Sequence, residues 1–188
     1  MAELLPQENG SFRIAGFADK VDRVDAVRDD IATVCQLRLD ILSEVMELLG
    51  DHEVELDMSD RQTASVVRVM AMSAVDHFMV CDFEMSASIS EIILELDPED
   101  HFSVVSTLVY CYAMLEDADA VQQLLPFADM PDEEKELVSA VAAFRCGEKN
   151  IILPEGIVKQ LLDPESDLSK RTAGLWLEIP NFKTLLKI

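Results

Sequence analysis

Thirty-seven Asp and Glu residues in a chain of 188 make divalent-metal chemistry the first to look for. Hard cations need several carboxylate oxygens converging on one point. Glu44 and Glu47 lie three apart on a helical stretch, with Asp57 and Asp60 just past its end, a pattern that approximates the paired acids of a divalent-metal-dependent helical hydrolase. The second pair falls in a linker, however, and Glu44 and Glu47 suit a solvated helix face. No metal ligand is assigned. The H-E-x-x-H pattern, the EF-hand loop and an Asp-rich D-D-x-x-D helix are all missing from the chain.

Nucleophilic or acid–base chemistry has equally little to work with. His52 sits in an acidic loop, and His101 in the first turn of a helix beside Glu99 and Asp100, where a neutral side chain is expected. His77 follows Asp76 on an apolar helix and is the one candidate for a buried polar pair, as a hydrogen-bonded core or interface histidine rather than a general base. A G-x-S-x-G elbow, a P-loop and a G-x-G-x-x-G turn are absent, and six Gly provide little loop to cradle a phosphate. Cys35, Cys81, Cys111 and Cys146 are widely separated, form no C-x-x-C pair and are expected as buried free thiols inside helices. The expectation is a protein without catalytic residues and without a cofactor.

Composition narrows the remaining classes. A chain with 49% hydrophobic residues folds, because it has the apolar content to offset chain entropy. A net charge of −22 repels nucleic-acid phosphates and anionic lipid alike, so direct contact with either is disfavoured. The N-terminus lacks the basic start and apolar run of a secretory signal, and Val66 to Cys81, the most apolar stretch, is too short to span a bilayer. The expected location is the cytoplasm. No Lys or Arg occurs between Arg68 and Lys135, whereas fifteen acids fall there, so the field is lopsided and invites a basic protein partner.

The elements that would carry these residues are helical throughout. Residues 1–18 read as a flexible N-terminus. From Asp19, as N-cap, Val24, Val27, Ile31, Val34, Arg38, Ile41, Val45 and Leu48 recur at three-and-four spacing up to Gly50, predicting one long amphipathic helix over 19–50. A second stripe, Cys35, Leu39, Leu42, Met46 and Leu49, widens its apolar face and asks for two packing neighbours. The seam from Val24 to Leu48 also offers a homodimer interface. Arg38 on that seam either pairs with an acid or, as the simpler reading, snorkels its head to solvent. Ser59 heads an S-x-x-Q capping box for a helix running to about Cys81, which is apolar around nearly its whole circumference and is therefore the central one. A break near Asp82 precedes a helix over 83–96, and helices over 101–115 and 118–125 follow, the last cut short by Pro126.

Pro98 and Pro131 are 33 residues apart, each followed by an acidic helix start. The run Glu95-Leu96-Asp97-Pro98, with Val104, Leu108 and Cys111 on one helix and Ala120 and Leu124 on the next, resembles a tetratricopeptide repeat over Glu95 to Pro131. The family's glycine after the first-helix leucine is absent, and Val104 occupies its common tryptophan position. The resemblance implies a single all-α domain over 1–188, with antiparallel helical hairpins stacked in a TPR-like array over 60–162 and a capping segment over 163–188 that holds Trp176, the only tryptophan. Small acidic proteins of this kind resemble chaperones that hold secreted proteins in bacterial secretion systems. The function expected on that basis is a non-enzymatic adaptor or chaperone whose groove, apolar at the floor and acidic at the rim, holds a basic protein segment. The candidate partner-binding residues are Asp76, Glu84, Glu91, Glu95, Glu99, Asp100, Glu116, Asp117 and Asp119, with Tyr110 and Tyr112 as anchors. The methionines at 70, 72, 79 and 85 serve the core or line that groove. Two other readings stay open: an acidic nucleic-acid mimic that inhibits a basic protein, and the metal-dependent hydrolase above.

Overall fold

The computed structural model describes residues 2–27, 29–50, 54–149 and 151–176, with 173–176 described by backbone only. The described residues are mostly helical, with a two-stranded sheet as their only sheet. The backbone divides into two compact units, Met1–Thr107 and Leu108–Ile188.

In the first unit residues 3–15 form a β-hairpin where the sequence suggests a flexible stretch. Strands β1 (Glu3–Pro6) and β2 (Phe12–Ala15) pair antiparallel, Leu4 opposite Ile14, around a turn that closes at Gly10 with φ +89°. The correction has a plain cause: Ile14 and Phe17 are only 1% and 0% exposed, and two large apolar side chains taken out of water fix the segment that carries them. The end of the acidic linker is stitched to it. The Phe12 N–H donates to the Glu55 carbonyl at 2.8 Å, the Asp57 N–H to the Phe12 carbonyl at 2.8 Å, and the Leu56 N–H to the Leu96 carbonyl at 2.8 Å.

The helix expected over 19–50 is two helices, α1 (Ala18–Ala26) and α2 (Ile31–Leu49). Asp30 breaks it by acting as N-cap: its carboxylate accepts from the Thr33 N–H at 3.2 Å and from the Thr33 hydroxyl at 2.7 Å. Those bonds outweigh slight desolvation and hold the Asp30 carboxyl below its usual range. Asp19 is not the cap of α1. With its amide oxygen turned towards α1, Gln62 accepts instead from the backbone N–H groups of Phe17 and Ala18, at 3.0 and 2.9 Å. Much of the Val24 to Leu48 seam turns inward, with Val24, Val34, Ile41 and Val45 buried in the core of this unit, while Ile31 on the same seam is 76% exposed.

The central helix is α3 (Arg61–Met79), with Val66, Val67, Val69 and Met70 all at 0% exposure among α2, α4, α1 and β2. Its cap is Asp60 rather than Ser59, accepting from Thr63 N–H at 2.9 Å and hydroxyl at 2.8 Å, and Arg13 pairs with the same carboxylate at 3.0 Å. Desolvation opposes these contacts but loses to them, so the Asp60 carboxyl also stays below its usual range. The break near Asp82 is real: Cys81 adopts φ +65°, and Asp82 caps α4 (Phe83–Leu96).

Helix α5 (Val104–Met114) begins in the first unit and ends in the second. It starts three residues later than the sequence suggests, because Asp97 and Asp100 use the intervening turn. Asp100 caps α5, accepting from Val104 N–H at 2.6 Å and Val105 N–H at 3.2 Å. Asp97, 2% exposed, accepts from the His101 backbone N–H at 2.8 Å and faces its Nδ1 at 2.7 Å. His101 is therefore not an unremarkable neutral side chain. Its hydrogen bond to Asp97 foremost, then the charges of Asp97, Glu99 and Asp100, hold its protonated form above the usual histidine range, against some desolvation. A folded-state value above the unfolded one contributes stability that is complete below about pH 6.5 and is lost as pH rises through the folded value. The stability advantage of the wild type over His101→Gln should accordingly shrink as pH rises above about 6.5 in urea titrations; an advantage that stays constant as pH rises would refute the pairing.

The second unit holds the rest of α5 with α6 (Ala118–Leu124), α7 (Asp132–Arg145), α8 (Glu155–Leu162) and α9 (Asp167–Trp176). Pro126 ends α6 as expected, in a single 3₁₀ turn over Leu125–Phe127. Asp117 caps α6 through the Ala120 N–H at 2.9 Å, and α6 packs on α7 and α8 on α9. At its heart Glu134, 4% exposed, accepts from the Tyr110 hydroxyl at 2.5 Å and from Arg171 Nε at 2.6 Å, tying α5, α7 and α9 together. Burial first, then the hydrogen bond to Glu134, pushes the Tyr110 phenol far above its ordinary value, while the same carboxylate holds the Arg171 guanidinium in its charged form. Of the four free cysteines only Cys111 is buried. Cys81 and Cys146 lie exposed just beyond the ends of α3 and α7 rather than inside helices.

Candidate functional site

Most of the acids singled out from sequence turn out to have work inside their own unit. Asp76 holds Arg38 through both carboxylate oxygens, at 2.8 and 3.0 Å, with the two side chains only 23% and 14% exposed. Arg38 therefore pairs rather than snorkels. Asp100 and Asp117 are helix caps. Glu116, at φ +66°, pairs with Arg145 at 3.2 Å while its carbonyl accepts from the Cys146 thiol. Tyr110 is engaged by Glu134, and Tyr112 is half-buried. Asp76 and Glu116 are neutralised by their guanidinium partners, while Asp100 and Asp117 keep their charge but spend carboxylate oxygens on helix N–H groups. Glu84, Glu91 and Glu95 remain exposed on one face of α4, at helical offsets of seven and eleven, with Glu99 beyond its end and Asp119 exposed on α6.

The metal candidates are dispersed in the same way. Glu44 pairs with Lys20, Asp57 accepts from the Ser59 N–H and hydroxyl, and Asp60 is the α3 cap. Among the described residues, no group of three or more His, Cys, Asp or Glu side chains is placed to share a metal ion. His52 lies outside the described residues, as do 177–188 of the expected capping segment; nothing of the Trp176 side chain is described.

What the fold does assemble is a groove of about 240 Å³ between α2 and α3. The two helices run antiparallel: α1 lies parallel to α3, since Gln62 reaches Ala18 and Arg68 pairs with Asp25 at 3.1 Å, and the short turn from α1 reverses the chain into α2. One wall is Ala32, Cys35, Gln36 and Leu39 of α2, and the other is Ser73, Asp76 and His77 of α3 with Val80 just beyond. Each wall has the offsets 0, 3, 4 and 7 that place four side chains in a single row along a helix. The surface they expose is mainly carbon, with Leu39 at 40% and Val80 at 73%.

Its electrostatics are one-sided. Gln36 donates to Asp40 at 2.8 Å, His77 Nδ1 lies 3.1 Å from Asp82, and Asp30 caps α2 beside Ala32. Arg38, already paired with Asp76, is the only Lys or Arg in α2, and the sequence has none from there on between Arg68 and Lys135. The groove also brings Cys35 near Asp76 and His77, the residue types of a nucleophilic site. Burial and then the Asp76 charge raise the Cys35 thiol above its usual value, Arg38 opposing weakly, so the thiol stays protonated at neutral pH and is a poor nucleophile.

Of the groove residues, sequence reading singled out only Asp76 as a partner contact. The signal for Cys35 and Leu39 was the second apolar stripe of α2. Its C-terminal half, Leu42 and Leu49, is buried, but in its N-terminal half Cys35 is half-buried and Leu39 40% exposed, and both line the groove. Among the described residues no helix is long and apolar enough to cross a membrane. Compared with protein-family models, with curated proteins and with solved structures, the chain matches none.

Proposed function

We propose that the protein is a non-enzymatic interaction module, an acidic helical adaptor or chaperone with TPR-like hairpins, that holds a basic protein segment. The observation that carries this reading is the α2–α3 groove, apolar along its walls and bordered by Asp30, Asp40 and Asp82, with Asp76 paired to Arg38 between them. Apolar contact supplies affinity there, and the surrounding negative potential selects a cationic partner and speeds encounter. The 33-residue spacing of Pro98 and Pro131, with α5 and α6 between them, supports the TPR-like arrangement. A location in the cytoplasm fits the same reading.

The test is capture from the native host's lysate with wild type and with the double variant Leu39→Gln, Val80→Gln side by side, washed at low and high salt. These side chains are partly or largely exposed, so the variant should fold and keep its charge. One basic protein retained by the wild type at both salts and lost by the variant is the expected result. A protein that binds both forms equally and washes off in salt would point instead to the nucleic-acid mimic, for which the exposed Glu84, Glu91 and Glu95 face of α4 is the matching surface.

A further inference from the structure

We infer that the segment seated in the α2–α3 groove is a short cationic amphipathic α-helix, an inference that rests on the partner-holding reading above and specifies its occupant. Both walls are rows of side chains at offsets 0, 3, 4 and 7, so the groove between them is the kind of channel into which the side-chain ridge of a third helix packs. An extended peptide would arrive with unpaired backbone N–H and C=O groups. No strand edge lines the groove to receive them, and Gln36 Nε2 and His77 Nδ1 already face Asp40 and Asp82. A helix brings its backbone bonds with it.

The dimensions and charges define the ligand further. Ala32 to Leu39 spans seven residues, on the order of 10 Å at 1.5 Å per residue, which seats about two turns and two or three apolar side chains. Because α2 and α3 are antiparallel, Asp30 and Asp82 stand at one end of the channel and Asp40 at the other, so Lys or Arg flanking both ends of the apolar row meets a carboxylate. A second copy of this chain is the wrong occupant. At a net charge of −22, docking one acid-bordered face on another sets like charges opposite each other.

The probe is a synthetic 14-residue peptide with Leu at helical offsets and Lys on its polar face, compared with a scrambled peptide of the same composition that has no apolar face. Binding is followed by fluorescence anisotropy in about 0.3 M salt, where exposed charges are screened beyond roughly 6 Å, and helix formation by circular dichroism. The patterned peptide should bind the wild type at least tenfold more tightly than the scrambled one and gain helicity. The Leu39→Gln, Val80→Gln variant should bring it down to the scrambled level, as should Ala32→Gln, which fills the groove from an exposed position. Equal binding of both peptides, or full binding to both variants, overturns the inference. The two failures are distinct: a host protein captured in a groove-dependent way while the patterned peptide fails overturns the helical occupant alone, whereas loss of groove-dependent capture overturns the partner-holding reading with it.

Discussion

Arg171→Ala should destabilise the second unit by about 2 kcal/mol, more than Tyr110→Phe, the 44% exposure of the guanidinium keeping the cost below that of a fully buried pair. Glu134 is 4% exposed, and Arg171 provides the only positive charge bonded to it among the described residues. Removing that guanidinium leaves a buried carboxylate with a phenol for company, and an uncompensated buried charge is the expensive case. Tyr110→Phe removes one hydrogen bond and leaves the ion pair in place, a loss of about 1 to 1.5 kcal/mol. Glu134→Gln keeps an acceptor for Tyr110 and should fall between them. Because the chain has two compact units, a single global melt can blend their transitions, so amide hydrogen exchange resolved along the sequence is the suitable measurement. Protection in α5, α7 and α9 should drop together in Arg171→Ala. Equal costs for the Arg171 and Tyr110 variants would show that the Arg171 ion pair is worth no more than the Tyr110 hydrogen bond.

The second large effect separates two isoleucines that the heptad seam treats alike. Ile41 is 1% exposed and Ile31 76%, although they stand ten residues apart on the same stripe of α2. Ile41→Ala should cost about 2–5 kcal/mol through lost burial and the cavity left behind, a large fraction of the roughly 5–15 kcal/mol that holds a typical domain together. Ile31→Ala should change stability by no more than about 0.5 kcal/mol. Denaturant titration of the two variants decides the matter. Ile31→Asp should also leave the mass in light scattering unchanged, because Val24, Val34 and Val45 on the same seam are spent on the core. A fall in mass on that substitution would make the seam an interface between copies.

Periodicity made the large elements legible. The nearly all-apolar circumference of α3 marked it as central, and it is, with Thr63, Val66, Val67, Val69, Met70 and Ala74 at 0% exposure. Pro126 and the Cys81-Asp82 break were equally plain, because a ring that cannot continue a helix and a capping carboxylate act within a turn of their own position. Asp30 was a capping signal too, but it sat inside a run of well-spaced apolar residues whose pattern continues across the break, since a core-facing stripe is needed on both sides of the turn. The β-hairpin escaped because two four-residue strands give almost no period, and what secures them is the backbone bridge to Leu56 in the linker and the helical core on which Ile14 packs, both far from them in sequence.

By itself, then, the sequence determined helical class, the central position of α3, and the acidity of the surface, because propensity, apolar spacing and formal charge are local or additive properties of the chain. Only the tertiary structure decided which carboxylates are spent. Asp76 could have faced a partner or Arg38, thirty-eight residues away, and Asp97 could have been one more surface acid instead of a buried anchor for His101. It also decided where the apolar stripe of α2 runs out of cover, leaving Cys35 and Leu39 to form a groove wall with α3. A side chain's partners and its exposure are fixed by what packs beside it, and pairs far apart in sequence meet only once the chain has folded.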